Sequence, residues 1–402
     1  MKRTLRIAVQ VELNRAHGRA LLEGIAAEAL GHDDWRLEMV EPRILLDPAA
    51  AARFDGLVVR VMDDATERAL VRAGRPAVDT YGRTDGAALP FIRLDDAALA
   101  ATAAEFFAGR RYRDFAYCGF PGLRFSEARG EAFARRVAGL GGRCAVYEGP
   151  PAARAKETAV RRERIDAVPD AAALRRWIRS LPRPCAVFCC NDLRAYQVLR
   201  ACADEGVAVP REAAVLGADN DTTVCAFAKP PLSSIDTDPA ALGRTAARML
   251  AALLSGRSDE VPRATLHGPR GIVGRTSTDA WSGCSPRVSD ALVFVQRHLG
   301  EGINASSLAA ALGVSHTTLD KAFRTELGTS PQREIARLRR ELACRLLLGT
   351  DRSAADVAAE CGYATAQRFS RDFASAFGTP PAAWRSRHRG SGGVQARGAI
   401  GP

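Results

Sequence analysis

No stretch of the 402-residue chain is apolar for the roughly eighteen consecutive residues that a membrane-spanning helix requires. The start, Met1-Lys2-Arg3-Thr4-Leu5-Arg6, leads into a short apolar run with no small-residue cleavage site, so it reads as a first strand rather than a signal peptide. The ten cysteines form no Cys-x-x-Cys pair, which argues against a zinc or dithiol redox centre and for reduced, buried thiols in a cytoplasm. Gly-x-Ser-x-Gly, His-Glu-x-x-His and a Walker loop are all missing, and the six histidines are dispersed. These gaps set the expectation that the protein is not an enzyme: no catalytic residue, no metal and no cofactor.

A chain this long exceeds what one hydrophobic core usually serves, and its 47% hydrophobic content supports folded domains throughout. Apolar runs suited to strands occur at 5–11, 56–61, 77–80, 91–94, 115–118, 145–147, 186–190 and 214–216. Between several of them lie helical patterns, at 19–29, 96–109, 125–140, 171–180 and 194–205. Strand-helix alternation at this rhythm predicts an α/β fold with parallel sheets covered by helices. In such folds ligands meet the loops at the carboxyl ends of the strands. The residues there are Phe125, Ser126 and Arg129 after the strand 115–118, Asn191, Asp192 and Arg194 after 186–190, and Asp219, Asn220 and Asp221 after 214–216. Carboxylates and amides accept hydrogen bonds from vicinal hydroxyls, arginine donates to oxygens, and an aromatic ring covers an apolar sugar face. Helix capping or ion pairing is an equally good reading of each residue singly, and Asp192 suits a cap for a helix beginning near Leu193.

The segment Ser277–Pro286 is polar and broken by glycine and proline, marking a boundary beyond which no strand pattern continues. The helical remainder repeats itself. Leu308, Leu312, Gly313, Leu319, Phe323, Gly328 and Pro331 are echoed by Val357, Cys361, Gly362, Phe369, Phe373, Gly378 and Pro381. The turn glycines lie 49 residues apart and the later landmarks 50, so the second copy carries one inserted residue after its turn. An apolar helix, a glycine turn and a second helix with anchors four residues apart form a helix-turn-helix pattern. The outward faces then offer His316, Thr317, Thr318 and Lys321 in one copy, and Thr365, Gln367, Arg368 and Arg371 in the other. Glutamine pairs with adenine, arginine with guanine, and threonine meets a thymine methyl or a phosphate. From Arg287 to Arg389 there are 15 Lys/Arg against 10 Asp/Glu, a surplus suited to a polyanion. Between the copies, 333–348 is one long helical pattern with Ile335, Leu338, Leu342, Leu346 and Leu347 along one side, a stiff connector.

With Gly362-Tyr363, Phe369-Ser-Arg-Asp-Phe373, Phe377-Gly378-Thr379-Pro380-Pro381 and Trp384-Arg385, the C-terminal part resembles the DNA-binding domain of AraC-type regulators. Upstream, Leu22-Glu23-Gly24, Phe54-Asp55-Gly56, Asn191-Asp192-x-Arg194, Leu216-Gly217-x-Asp219-Asn220-Asp221 and Pro231-Leu232-Ser233-Ser234-Ile235 resemble the ligand domain of lac-repressor-like regulators. The resemblance implies a two-lobed, periplasmic-binding-protein-like sensor over 1–278, a linker at 279–286, a DNA-binding domain with two helix-turn-helix units at 287–389, and a disordered tail at 390–402. It further implies a cytoplasmic transcription activator that binds double-stranded promoter DNA and a small sugar effector, works as a homodimer and touches RNA polymerase, with no membrane partner. Two alternatives stay open: the same regulator sensing a non-sugar small molecule, and a carbohydrate-acting enzyme using Asp192, Asp219 and Asp221 as an acid/base set.

Overall fold

A computed structural model describes residues 3–83, 86–149, 171–350 and 352–389. The tail expected to be disordered, 390–402, lies outside the described residues. The chain divides into two compact units between Thr278 and Asp279.

Among the described residues the first unit is built on two sheets of six strands each. One has the order β11-β5-β4-β3-β1-β2, with β1 Leu5–Val9, β2 Trp35–Met39, β3 Gly56–Val59, β4 Ala77–Asp79, β5 Phe91–Leu94 and β11 Ala264–His267. The other has the order β12-β10-β9-β8-β6-β7, with β6 Asp114–Cys118, β7 Arg143–Val146, β8 Cys185–Cys189, β9 Ala213–Ala218, β10 Ser233–Asp236 and β12 Gly271–Val273. The chain moves between the two sheets after β5, after β10 and again after β11, so the unit has two lobes joined by several strands of backbone. Every pairing is parallel except β10 with β12, which is antiparallel and closes one edge of the second sheet. The central strands β3, β8 and β9 are buried at every position, as continuous apolar runs covered on both faces by helices should be.

Four strands escape the sequence pattern for identifiable reasons. β2 (Trp-Arg-Leu-Glu-Met) and β11 sit at sheet edges and alternate charged or polar with apolar residues, while β12 has three residues. β10 carries Ser233 and Ser234, both fully buried. Their hydroxyls are satisfied by the Arg275 carbonyl and by Asp192, partners that only the folded chain supplies.

The helices start and stop where local chemistry says they should. Asp63, Asp95, Asn191, Asp221 and Asp238 cap helix N-termini by accepting from backbone N–H groups two or three residues on. The helices Ala16–Ala29 and Pro239–Leu254 lie against one another at glycine-to-backbone distance. A Cβ at Gly24 would stand 1.9 Å from the Ala240 carbonyl oxygen, and one at Gly243 would stand 2.1 Å from that of Leu21. Leu21, Ile25, Leu242, Ala246 and Leu250 from these two helices fill the core over the first sheet.

Among the described residues the second unit contains helices and no strand. Its helices are Pro286–Arg297, Ala305–Ala311, His316–Leu327, Pro331–Gly349, Ala354–Glu360, Ala366–Phe377 and Pro381–Arg389. Trp281, ahead of the first of these, is buried among Val288, Leu292, Leu319 and Phe323. The duplication seen in the sequence is repeated in the caps. Asn304 and Ser353 open the short helices with reciprocal capping boxes, and Gly328 and Gly378 end the following helices in the left-handed conformation. Two separate cores result, one around Leu308, Leu319 and Phe323, the other around Val357, Phe369, Phe373 and Trp384. The 19-residue helix Pro331–Gly349, about 28 Å long by its rise, supplies Ile335 and Leu338 to the first core and Ala343, Cys344 and Leu347 to the second. Among the described residues no helix is long and apolar enough to cross a membrane.

Candidate ligand cleft and nucleic-acid interface

In the first unit an open cleft is lined from both lobes. Each side chain arrives there by the same route, from the carboxyl end of a parallel strand. The first lobe supplies Glu12, Arg15 and His17 after β1, Arg60 after β3, Thr80 and Tyr81 after β4, and Arg93 and Leu94 at the end of β5. The second supplies Phe125 and Arg129 on the helix after β6, Asn191 after β8 and Asp219 after β9. Asp96, Arg124 and Leu242 complete the lining.

Arg129 is the best-held of these groups. Its Nε and Nη2 donate to one oxygen of Asp96 at 3.1 and 2.8 Å, its Nη1 donates to the Cys190 carbonyl, and its guanidinium lies 5.6 Å from the Phe125 ring. Arg124 donates to the other Asp96 oxygen at 3.4 Å, so one buried carboxylate serves two cations. Across the cleft Arg60 pairs with Glu12 at 3.2 Å and lies over the Tyr81 ring at 4.8 Å. Arg93 donates to the Gly82 carbonyl at 2.8 Å. His17 Nδ1 stands 4.0 Å from the Asp219 carboxylate. Burial, followed by the guanidinium groups of Arg60 and Arg129, pushes the His17 pKa down to about 3, so the ring is neutral at ordinary pH. Asp219 and Asn220 both have positive φ, 105° and 51°, in a tight turn straight after β9 that aims the Asp219 carboxylate into the cleft.

Of the nine ligand candidates named from the sequence, Phe125, Arg129, Asn191 and Asp219 line this cleft. The other five lie off its lining with partners of their own. Ser126 accepts from the Phe120 N–H at 2.8 Å. Arg194 is buried, donates to Gln197 Oε1 at 2.8 Å and stacks 5.0 Å from both Phe120 and Tyr147. Asn220 accepts from Arg275 at 2.9 Å. Asp221 caps the helix Thr222–Phe227. Asp192 accepts from the Ser234 hydroxyl, the Asp221 N–H and the Cys225 thiol; burial, then the Asp219 charge, hold its pKa well above the carboxylate range. The cap of its own helix is Asn191, one residue earlier than the sequence suggested. The sequence reading passed over the first lobe, although the same rule, residues just past the strands, points to Glu12, Arg60, Thr80 and Tyr81.

In the second unit, His316, Thr317, Thr318, Lys321, Thr365, Gln367, Arg368 and Arg371 are all exposed. On the same helices Leu319, Phe323, Phe369 and Phe373 are fully buried, so each helix presents a polar face opposite a packed one. Two of the eight have local duties as well. Thr365 Oγ1 caps its helix by accepting from the Arg368 N–H, and the Thr318 hydroxyl is hydrogen-bonded to Ser315 at 2.8 Å. The inserted residue of the second copy lengthens the turn: Ser315 caps two residues after Gly313, Thr365 three after Gly362. Asp372 fixes the second of these helices by accepting from Tyr363 at 2.6 Å and from Arg340 of the connecting helix at 3.2 Å.

Comparison with known proteins gives a periplasmic binding protein-like domain over residues 104–278 and a helix-turn-helix domain over 308–387. The xylose operon regulatory protein of Escherichia coli K12 is 27% identical over 390 residues, covering 94% of this chain and 96% of that one. Its counterpart in Haemophilus influenzae is 25% identical over 394 residues, covering 94% and 98%. The solved structure of a xylose-binding transcription activator superposes with a TM-score of 0.59 at 26% identity, over 96% of this chain and 99% of that one. The chain thus joins a periplasmic binding protein-like domain to a helix-turn-helix domain, and along nearly its whole length it is similar to transcription regulators.

Proposed function

We propose that this regulator binds promoter DNA through its two helix-turn-helix units and is controlled by a small sugar or sugar-related effector held between the lobes of the first unit. One observation carries the effector half of the reading: polar and aromatic side chains from the carboxyl ends of strands in both lobes converge on a single cleft. A molecule bound there touches both lobes, and it can shift an equilibrium between open and closed arrangements by its differential affinity for them. The full-length relatives whose names describe a xylose regulator support a sugar. The DNA half rests on the duplicated, exposed faces and on the shared connecting helix, which holds the two cores on one rigid axis.

We read the domains as a sensor over 1–278, a linker at 279–286 and a DNA reader over 287–389, acting in the cytoplasm as a homodimer and as an activator in contact with RNA polymerase. The enzyme alternative is disfavoured by the carboxylates. Of Asp192, Asp219 and Asp221 only Asp219 lines the cleft, while Asp192 is an internal hydrogen-bond acceptor and Asp221 a helix cap. The test is footprinting of the full-length protein on its own promoter region, with and without sugars. Protection of a defined site that responds to one effector supports the reading. Uniform affinity for promoter and random DNA, or turnover of a sugar substrate, overturns it.

A further inference from the structure

The turn that carries Asp219 into the cleft is also tied to the end of the first unit. Asp219 and Asn220 hold positive φ straight after β9, and backbone of that kind stores strain that a contact at either end can redistribute. The main chain of the turn is anchored in the interior. The Asn220 N–H donates to Ser234 Oγ at 3.0 Å, and the Asp221 N–H donates to Asp192 Oδ2 at 2.7 Å. The Asn220 side chain is anchored elsewhere: its Oδ1 accepts from Arg275 Nη2 at 2.9 Å, across 55 residues of sequence. Neither Asn220 nor Arg275 lines the cleft, whose lining in this turn is Asp219.

Arg275 opens the closing stretch of the unit, 275–278, which ends at the boundary between Thr278 and Asp279. This stretch holds only the short turn Thr276–Thr278 and is pinned by hydrogen bonds to β9, to β10 and to the residues just before β10. The Arg275 N–H donates to Ser233 Oγ at 2.7 Å, and its Nη1 donates to the Leu232 carbonyl at 2.9 Å. Ser277 Oγ donates to the Val215 carbonyl at 2.6 Å and accepts from the Ser233 N–H at 2.8 Å, while the Ser277 N–H donates to the Pro231 carbonyl at 2.9 Å. Ser233 Oγ lies 2.7 Å from Thr278 Oγ1. Ser233, Ser277 and Thr278 are fully buried. Buried hydrogen bonds are costly to leave unmade, so a shift of Arg275 is passed to these neighbours rather than absorbed by solvent.

We propose that Arg275 is a positioning residue that links effector binding to DNA binding. An effector held by Asp219 resets the turn 219–221, Asn220 carries the change to Arg275, and the stretch 275–278 delivers it to the peptide bond that leads into the second unit. The effector contributes to this link only by its differential interaction with two arrangements of the turn. The role rests on the effector-controlled reading above and names the route of that control.

The test is the promoter affinity of the full-length protein with and without D-xylose, L-arabinose, D-ribose, D-glucose and D-galactose. It compares the parent with Asn220→Gly, Arg275→Met and the double variant; glycine suits position 220 because it accepts positive φ without strain. The sugar that shifts the parent most is the probe. Each single variant should reduce the sugar-induced change in promoter affinity by about twofold or more while its sugar-free affinity stays that of the parent. The double variant should lose no more than the larger single loss, as members of one route do. Arg275→Lys, which keeps a donor, should retain more of the change than Arg275→Met. Thermal stabilisation by the probe sugar shows that the variants still bind it, and their sugar-free melting temperatures check folding. If Arg275→Met does not fold, Asn220→Gly decides by the same ratio, with Asn220→Asp, which keeps the acceptor, as the variant that should retain it. An unchanged ratio in the single variants, or losses that add independently in the double variant, overturns the link and leaves the effector reading standing. A parent that responds to none of these sugars sinks the effector reading itself, and the link with it.

Discussion

At the scale of single residues, groups that line the cleft are distinct from groups that hold those groups in place. Asp219 belongs to the first kind, and its φ of 105° limits what can replace it. Asparagine tolerates such backbone better than alanine does and keeps the shape of the side chain while removing the charge. Asp219→Asn should therefore abolish the effector's influence on promoter binding while the effector-free affinity stays that of the parent, measured by fluorescence anisotropy with labelled promoter DNA. His17 makes a pH prediction. Its folded pKa of about 3 lies below the ordinary 6.5, so the unfolded chain takes up a proton that the folded one refuses. Stability is thus highest above pH 6.5 and falls as the pH drops from there toward 3, by up to about 2 kcal/mol at pH 5 from this ring alone. Urea unfolding at pH 7 and pH 5 should show a smaller difference for His17→Gln than for the parent. An equal difference would mean that the ring is protonated in the native cleft.

At the scale of elements, the two helix-turn-helix copies are alike in pattern and unlike in tolerance. Gly313 and Gly362 both have positive φ, 65° and 72°. A Cβ at Gly313 meets nothing within 4 Å, whereas one at Gly362 would lie 1.9 Å from the Leu299 carbonyl oxygen. Gly313→Ala should cost about 1–2 kcal/mol for the backbone conformation alone, and Gly362→Ala distinctly more, because backbone must move as well. Comparing urea midpoints of the two variants decides this; equal losses would show that the second turn relaxes freely. Arg368, exposed in the first turn of the helix Ala366–Phe377, should weaken promoter binding by about 1–3 kcal/mol when replaced by alanine and relax discrimination at one base pair. Loss spread evenly over all sequences would place it on a phosphate instead.

Much of this level was legible in the sequence. The anchor pairs Leu319/Phe323 and Phe369/Phe373, the turn glycines and the connecting helix follow from helical periodicity, which needs no distant partner. The edge strands β2 and β11 and the serine-bearing β10 did not, because their polar residues are satisfied only by neighbours far along the chain. The cleft was half legible. The rule that ligands meet the loops past the carboxyl ends of strands points to residues after β6, β8 and β9 and equally to Arg60, Tyr81 and Arg93 in the first lobe, but which of those loops face one another is set by the packing of two separate sheets.

At the scale of the whole molecule, function requires that effector binding and DNA binding share one free-energy balance. A coupling of about 1–3 kcal/mol corresponds to a change of roughly 5–150-fold in promoter affinity at saturating effector. By reciprocity, promoter DNA should change effector affinity by the same factor. Titrating the effector in the presence and absence of saturating promoter duplex checks this, and unequal factors would show that the two titrations do not report one linked equilibrium. The surplus of basic residues from Arg287 to Arg389 predicts in addition that promoter affinity falls steeply with added salt.

The sequence by itself determined the alternation of strands and helices in the first unit, the duplicated reader in the second and the residues that present its polar faces. These depend on periodicities and caps only a few residues long. Tertiary structure decided which side chains share the cleft, that Asp192 and Arg194 serve the interior beside it, and that arginines from both lobes meet there. Charge at a site is the sum over loops brought together by two separate sheets, and spacing along the chain does not encode that sum.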